Sequence, residues 1–227
     1  MADRQLPLAF PVRPALAMDD FMVADSNRAA VAWIDRWPAW PHPVLALHGP
    51  PGCGKSHLAH VFRAVSGAVM IDPDALGAAE TPELLGQARA AVLDDAERAA
   101  RTSERPLLHL YNLVVETRRS LLLVGRLPPA RWTIGLADLR SRLAAVPAVE
   151  IREPDDGLIV AVLQKLFSDR QLDVAPEVIG FLARRMQRSF EAARRLVEAI
   201  DAAALSQRSN ITVPLVQRVL LEQGQGD

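Results

Sequence analysis

Cysteine is nearly absent from this chain. Cys53 is the single one, so no internal disulfide can form, which suits a reducing compartment. Lysine is almost as scarce, with Lys55 and Lys165 set against cations that are otherwise all arginine. The N-terminus lacks the basic-then-apolar pattern of a signal peptide, and no apolar run is long enough to span a bilayer. Neither sign of charge is in excess. A net charge of −1 and a pI near 6.5 argue against a strongly basic nucleic-acid-binding protein and leave only local patches for that purpose. Apolar residues are abundant, at 50% of 227, which is enough for one sizeable core or a core plus a small second domain. These features predict a globular protein of the cytoplasm with no membrane partner.

One of the two lysines falls at an informative place. Gly49-Pro50-Pro51-Gly52-Cys53-Gly54-Lys55-Ser56 fits G-x-x-x-x-G-K-[ST], the phosphate-binding P-loop. Val44 to Leu47 predict a strand leading in. Leu58, Val61, Phe62 and Val65 predict an amphipathic helix leading out. The glycines let backbone N–H groups turn toward phosphates, and the helix N-terminus adds partial positive charge. Lys55 is suited to the β and γ phosphates, and the Ser56 hydroxyl to Mg²⁺. The predicted nucleotide-binding set is therefore Gly49 to Ser56 with His57 beside it, holding ADP or ATP with Mg²⁺. Cys53 reads as a small filler whose thiol pKa a helix N-terminus would lower. His48, His57 and His60 flank the loop without metal-ligand partners, and there is no nucleophile–base set.

Apolar runs alternate with helical patterns around this motif. A Pro-containing extended leader comes first, and Asn27 to Trp37 read as a helix. Ala68–Ile71, Ala90–Leu93, Ser120–Val124 and Val149–Arg152 read as further strands. Helices are predicted on Leu107, Leu110, Tyr111, Val114 and Val115, and over Leu136–Ala145. This alternation predicts a mostly parallel sheet with helices on both faces. After Pro154 the strand signal stops and three or four helices follow, capped at Asp155 or Asp156, opened at Pro176, and started near Ser189 and Thr212. The expected division is a leader over residues 1–18, an α/β nucleotide-binding core over 19–153 and a helical lid over 154–227.

Val92-Leu93-Asp94-Asp95 fits the Walker B element, a buried strand ending in acids. Asp94 is the predicted Mg²⁺ ligand, and Asp95 is predicted to orient water for catalysis. Asp95 stands where many such ATPases have the longer Glu. With the P-loop, Phe21 to Asn27, Leu110-Tyr111-Asn112 and Leu139 to Leu143, this chain resembles the DnaA group of AAA+ proteins from about residue 19 onward. The resemblance stops where DnaA continues into a DNA-reading helix-turn-helix domain. Leu121 to Pro129 and Gly135 to Leu139 are most similar to the Hda-type, DnaA-related regulators.

That resemblance implies an AAA+ fold and a set of roles. Gln5-Leu6-Pro7-Leu8-Ala9-Phe10 resembles the Q-L-x-L-x-F peptide that binds the DNA polymerase III sliding clamp, with Gln5, Leu6, Leu8 and Phe10 as its contacts. Arg142 matches the arginine finger, Arg140 being the control position, and Arg188 matches the sensor 2 arginine that reaches nucleotide. The implied activity is stimulation of hydrolysis of DnaA-bound ATP, with DNA met mainly through the clamp. The finger works across an interface, with DnaA or a second copy. Val124 departs from the pattern, because sensor 1 normally presents a polar side chain there, so the chain's own turnover is expected to be weak. The alternatives are an autonomous DnaA-like or helicase-loader ATPase and a non-enzymatic clamp-anchored adaptor.

Overall fold

The computed structural model describes residues 12–13, 21–78, 81–207 and 209–224. Two short strands, β1 (Val12–Arg13) and β2 (Phe21–Met22), come first and lie outside the main sheet. The described residues form two compact units, one over Asp25–Arg152 and one from Glu153 onward that also takes in Met22–Ala24.

The first unit is built on β3 (Val44–His48), β4 (Val69–Ile71), β5 (Ala90–Leu93), β6 (Ser120–Gly125) and β7 (Ala148–Glu150). They form one parallel sheet in the order β4-β5-β6-β3-β7. Helices α1 (Arg28–Asp35), α2 (Lys55–Ser66), α3 (Thr81–Leu85), α4 (Ala96–Thr102), α5 (Glu104–Glu116) and α6 (Ala137–Ala144) alternate with the strands. The strands are continuous apolar runs because both sheet faces are covered. Val44, Ala46, Ala91, Leu93, Leu121 and Leu123 share a core with Leu107, Leu110 and Val114 of α5. Leu45, Leu47, Val92 and Leu122 alternate with them and are equally buried on the other face. Strands that all run one way bring the turns after β3, β5 and β6 to one edge, where such sheets place their sites.

The predicted strands and helices are present, with local departures: α1 spans Arg28–Asp35 rather than Asn27–Trp37, and β4 starts at Val69 rather than Ala68. Val65 and Val115 are exposed at 46% and 39%, because each sits in the last turn of its helix, at the surface. β7 ends at Glu150 rather than Arg152. There the Ile151 N–H turns to His48 O at 2.7 Å and the Arg152 N–H to Ser26 O at 3.0 Å.

The second unit is helical. It holds α7 (Asp156–Asp169), α8 (Pro176–Ala183), α9 (Phe190–Gln207) and α10 (Val213–Gly224). Asp155 is the cap, accepting the Leu158 N–H at 2.7 Å, and Pro176 opens α8 at its first turn. Ser189 Oγ accepts the Ala192 N–H at 3.1 Å at the start of α9. Phe167, Leu182, Leu196, Ile200 and Val216 form its core. Among the described residues, no helix is long and apolar enough to cross a membrane.

Candidate functional site

The P-loop leaves β3 at His48 and becomes α2 at Lys55. Gly49 has φ +152, and a Cβ there would lie 2.0 Å from Ile151 O, so only glycine fits between β3 and the end of β7. Gly54 has φ +101 and serves as the N-cap of α2. Lys55 Nζ donates to Gly49 O at 2.9 Å and Pro50 O at 2.7 Å, so the ammonium lies within the curve of the loop. Pro50, Gly52 and His57 are half-buried, and Pro51 and Ser56 are exposed.

Cys53 is buried, and burial raises its thiol pKa against the opposing pull of Lys55, so desolvation outweighs the helix N-terminus. The thiol stays protonated, contrary to the expectation from its position. His48 is held below its ordinary value, first by burial. Arg131 and Lys55 add to that effect and Glu150 opposes it, so the imidazole is neutral at pH 7.

Asp94 meets the P-loop directly. Ser56 Oγ donates to Asp94 Oδ2 at 2.8 Å, and the Asp95 N–H donates to Asp94 Oδ1 at 2.8 Å. The hydroxyl and the carboxylate predicted to share a magnesium ion are thus adjacent. Among the described residues, no cluster of three His, Cys, Asp or Glu side chains could hold a metal alone. A cation on this pair would need phosphate oxygens to complete its shell. Asp95 is exposed and left-handed at φ 50, ψ 43, and its Oδ2 lies 3.1 Å from Arg98 Nε.

The end of β6 is fixed by backbone. Val124 is buried, and the Glu97 carboxylate accepts the N–H groups of Arg126 at 2.9 Å and Leu127 at 3.2 Å. Gly49 N–H donates to Arg126 O at 3.2 Å, tying this turn to the P-loop. The Arg126 side chain is exposed.

Arg142 lies on α6 with its side chain 42% exposed. Its Nε donates to Asp138 Oδ1 at 2.8 Å, and its guanidinium carbon lies 5.9 Å from the Tyr111 ring centre. Arg140 turns elsewhere, donating to Ile134 O at 3.1 Å. Arg188 is an exposed residue of the helical unit, paired with Asp156 Oδ1 at 2.7 Å. Gln5, Leu6, Leu8 and Phe10 lie outside the described residues.

Sequence reasoning missed three residues of this region. Arg98 is readable from its i, i+3 spacing to Asp95, but its partner Asp74 is not. Glu97 and Glu104 act through distant backbone N–H groups, which no local pattern announces. Glu104 accepts from Gly135 at 2.6 Å and Leu136 at 2.7 Å, and so holds the entry to α6.

Comparison with known proteins bears on this arrangement. A family model described as the lid domain of Hda matches residues 156–220. The chromosomal replication initiator protein DnaA of Leifsonia xyli subsp. xyli is 25% identical over 229 residues, covering 90% of this chain. The chain spans about half, 48%, of that relative's length. Domain III of the Thermotoga maritima replication initiation protein DnaA has the same fold, with a TM-score of 0.79 at 16% identity over 93% of this chain and 98% of that one. AMPPCP-bound DnaA from Aquifex aeolicus gives 0.70 at 16% identity over 94% and 71%. The helical unit thus matches the Hda lid model, the chain is similar in sequence to DnaA over most of its length, and it shares the fold of the DnaA AAA+ domain.

Proposed function

We propose that this chain regulates the initiation of DNA replication by stimulating hydrolysis of ATP bound to DnaA. The observation that carries this reading is Arg142, exposed on α6 and held in place by Asp138 and Tyr111. A guanidinium fixed in one pose is the group that stabilises charge on a neighbour's transferring phosphoryl. In this reading Arg142 enters the ATP site of DnaA and completes it.

The chain's own P-loop binds ADP or ATP in the cytoplasm. Gly49 to Ser56 and His57 would line the phosphates, Lys55 would neutralise them, and Arg188 is the proposed sensor 2 contact to nucleotide. Ser56 and Asp94 would hold Mg²⁺, which supplies charge neutralisation between phosphate oxygens when bound. The apolar Val124 at the end of β6 fits weak turnover by the chain itself. Gln5, Leu6, Leu8 and Phe10 would dock on the sliding clamp, which raises the effective concentration near DnaA.

The test is hydrolysis of ATP prebound to DnaA, with clamp loaded on DNA. The parent chain accelerates hydrolysis, and changes at Gln5, Leu8 and Phe10 abolish the clamp-dependent part. Acceleration that ignores the clamp would remove the tether from the account. No acceleration at all would overturn the regulatory role.

A further inference from the structure

Three carboxylates converge on one guanidinium beside the P-loop. Arg98 Nη1 donates to both oxygens of Asp74, at 2.8 and 2.9 Å. Nη2 lies 3.7 Å from Asp72 Oδ1, and Nε 3.1 Å from Asp95 Oδ2. The Nε atom is shielded from water and meets Asp95 outside hydrogen-bond geometry, so this contact is an ion pair. The Asp74 hydrogen bond, with Asp95 and Asp72 behind it, keeps the guanidinium charged above its ordinary pKa. Two neighbouring acids therefore have different partners. Asp94 faces Ser56 of the P-loop, while Asp95 is paired with a cation that Asp74 anchors at the exit of β4.

An isolated i, i+3 surface pair is worth little. Here a bidentate contact fixes the arginine from a second element, so the pose is set before Asp95 is met. In hydrolysis, a water oxygen bonds to phosphorus while the bridging P–O bond breaks toward ADP. The water's proton passes to a phosphate oxygen, while a carboxylate orients the water, and a carboxylate oxygen held toward a fixed guanidinium is less free to do so.

We propose that Arg98 is a positioning residue that holds Asp95 in an ion pair and thereby keeps the chain's own nucleotide hydrolysis slow. This rests on reading Asp94 and Asp95 as the acids of a nucleotide site. It assigns part of the weak turnover to a cation supplied by α4, in addition to Val124.

The test uses the full chain with Arg98→Gln, Arg98→Ala, Asp95→Asn and the Arg98→Gln/Asp95→Asn pair. Releasing Asp95 raises kcat about tenfold in both Arg98 variants while nucleotide affinity stays within about twofold. Adding Asp95→Asn removes the gain. Without nucleotide, the Tm losses of Arg98→Gln and Asp95→Asn are not additive, because the two side chains share one interaction. Arg98 variants that bind nucleotide as the parent does but hydrolyse no faster would overturn the proposal, and so would additive Tm losses. A parent chain that binds no adenine nucleotide would instead overturn the nucleotide-site reading, and the Tm cycle would still decide whether Arg98 and Asp95 are coupled.

Discussion

Arg142 and Asp138 are joined across one turn of α6, Nε to Oδ1 at 2.8 Å, with the Tyr111 ring on the same guanidinium. Both side chains of the pair are about half exposed, so the contact orients the arginine more than it stabilises the fold. Asp138→Ala should change stability by no more than about 0.5 kcal/mol in urea unfolding. The same variant should lower stimulation of DnaA-bound ATP hydrolysis. A large loss of stability would show that Asp138 is structural.

Glu104 should matter more to the fold. Its carboxylate accepts two backbone N–H groups at 2.6 and 2.7 Å where the chain enters α6. Glu104→Ala leaves both donors without that acceptor and should cost about 1.5–3 kcal/mol by denaturant unfolding. Stimulation of DnaA should fall with it, because α6 carries Arg142.

Gly49→Ala should be costly as well. The added methyl would meet Ile151 O at 2.0 Å, at a backbone φ of +152. The loss expected is on the order of 2–3 kcal/mol, read from the urea midpoint. A neutral outcome would mean that the turn from β3 and the end of β7 separate easily.

The pH dependence of stability should carry a His48 contribution. Burial is the main cause of its lowered pKa, so the folded chain binds this proton less readily than the unfolded chain. Falling pH protonates the unfolded form first, from about 6.5 downward, and stability drops until the lower folded value is passed. Tm should therefore be lower near pH 5.5 than near pH 7, and His48→Gln should narrow the difference. An unchanged difference would place the effect on other groups.

Much of the architecture was legible because periodicity and motif agreed. Ala90–Leu93 is an uninterrupted apolar run ending in two acids, and it is a buried central strand with Asp94 at its end. The Gly49–Ser56 spacing located the P-loop, and Pro176 and Ser189 located helix starts. Solvation and distant partners were not legible. Lowering of the Cys53 pKa was expected from a helix terminus, yet burial decides the direction. Asp95 read as a water-orienting acid, but its cation comes from Arg98, which is itself fixed by Asp74 on another element. Resemblance alone set Arg142 apart from neighbouring Arg140, and their separate partners, Asp138 for Arg142 and Ile134 O for Arg140, come from the fold.

The most direct test of the central claim is the single-turnover rate of ATP hydrolysis on DnaA, with loaded clamp, comparing the parent chain, Arg142→Ala and Arg140→Ala. Arg142→Ala should lose about 10³-fold or more of the stimulation, as removal of an arginine finger does. Arg140→Ala should keep most of it. Equal stimulation by the parent and Arg142→Ala would contradict the account.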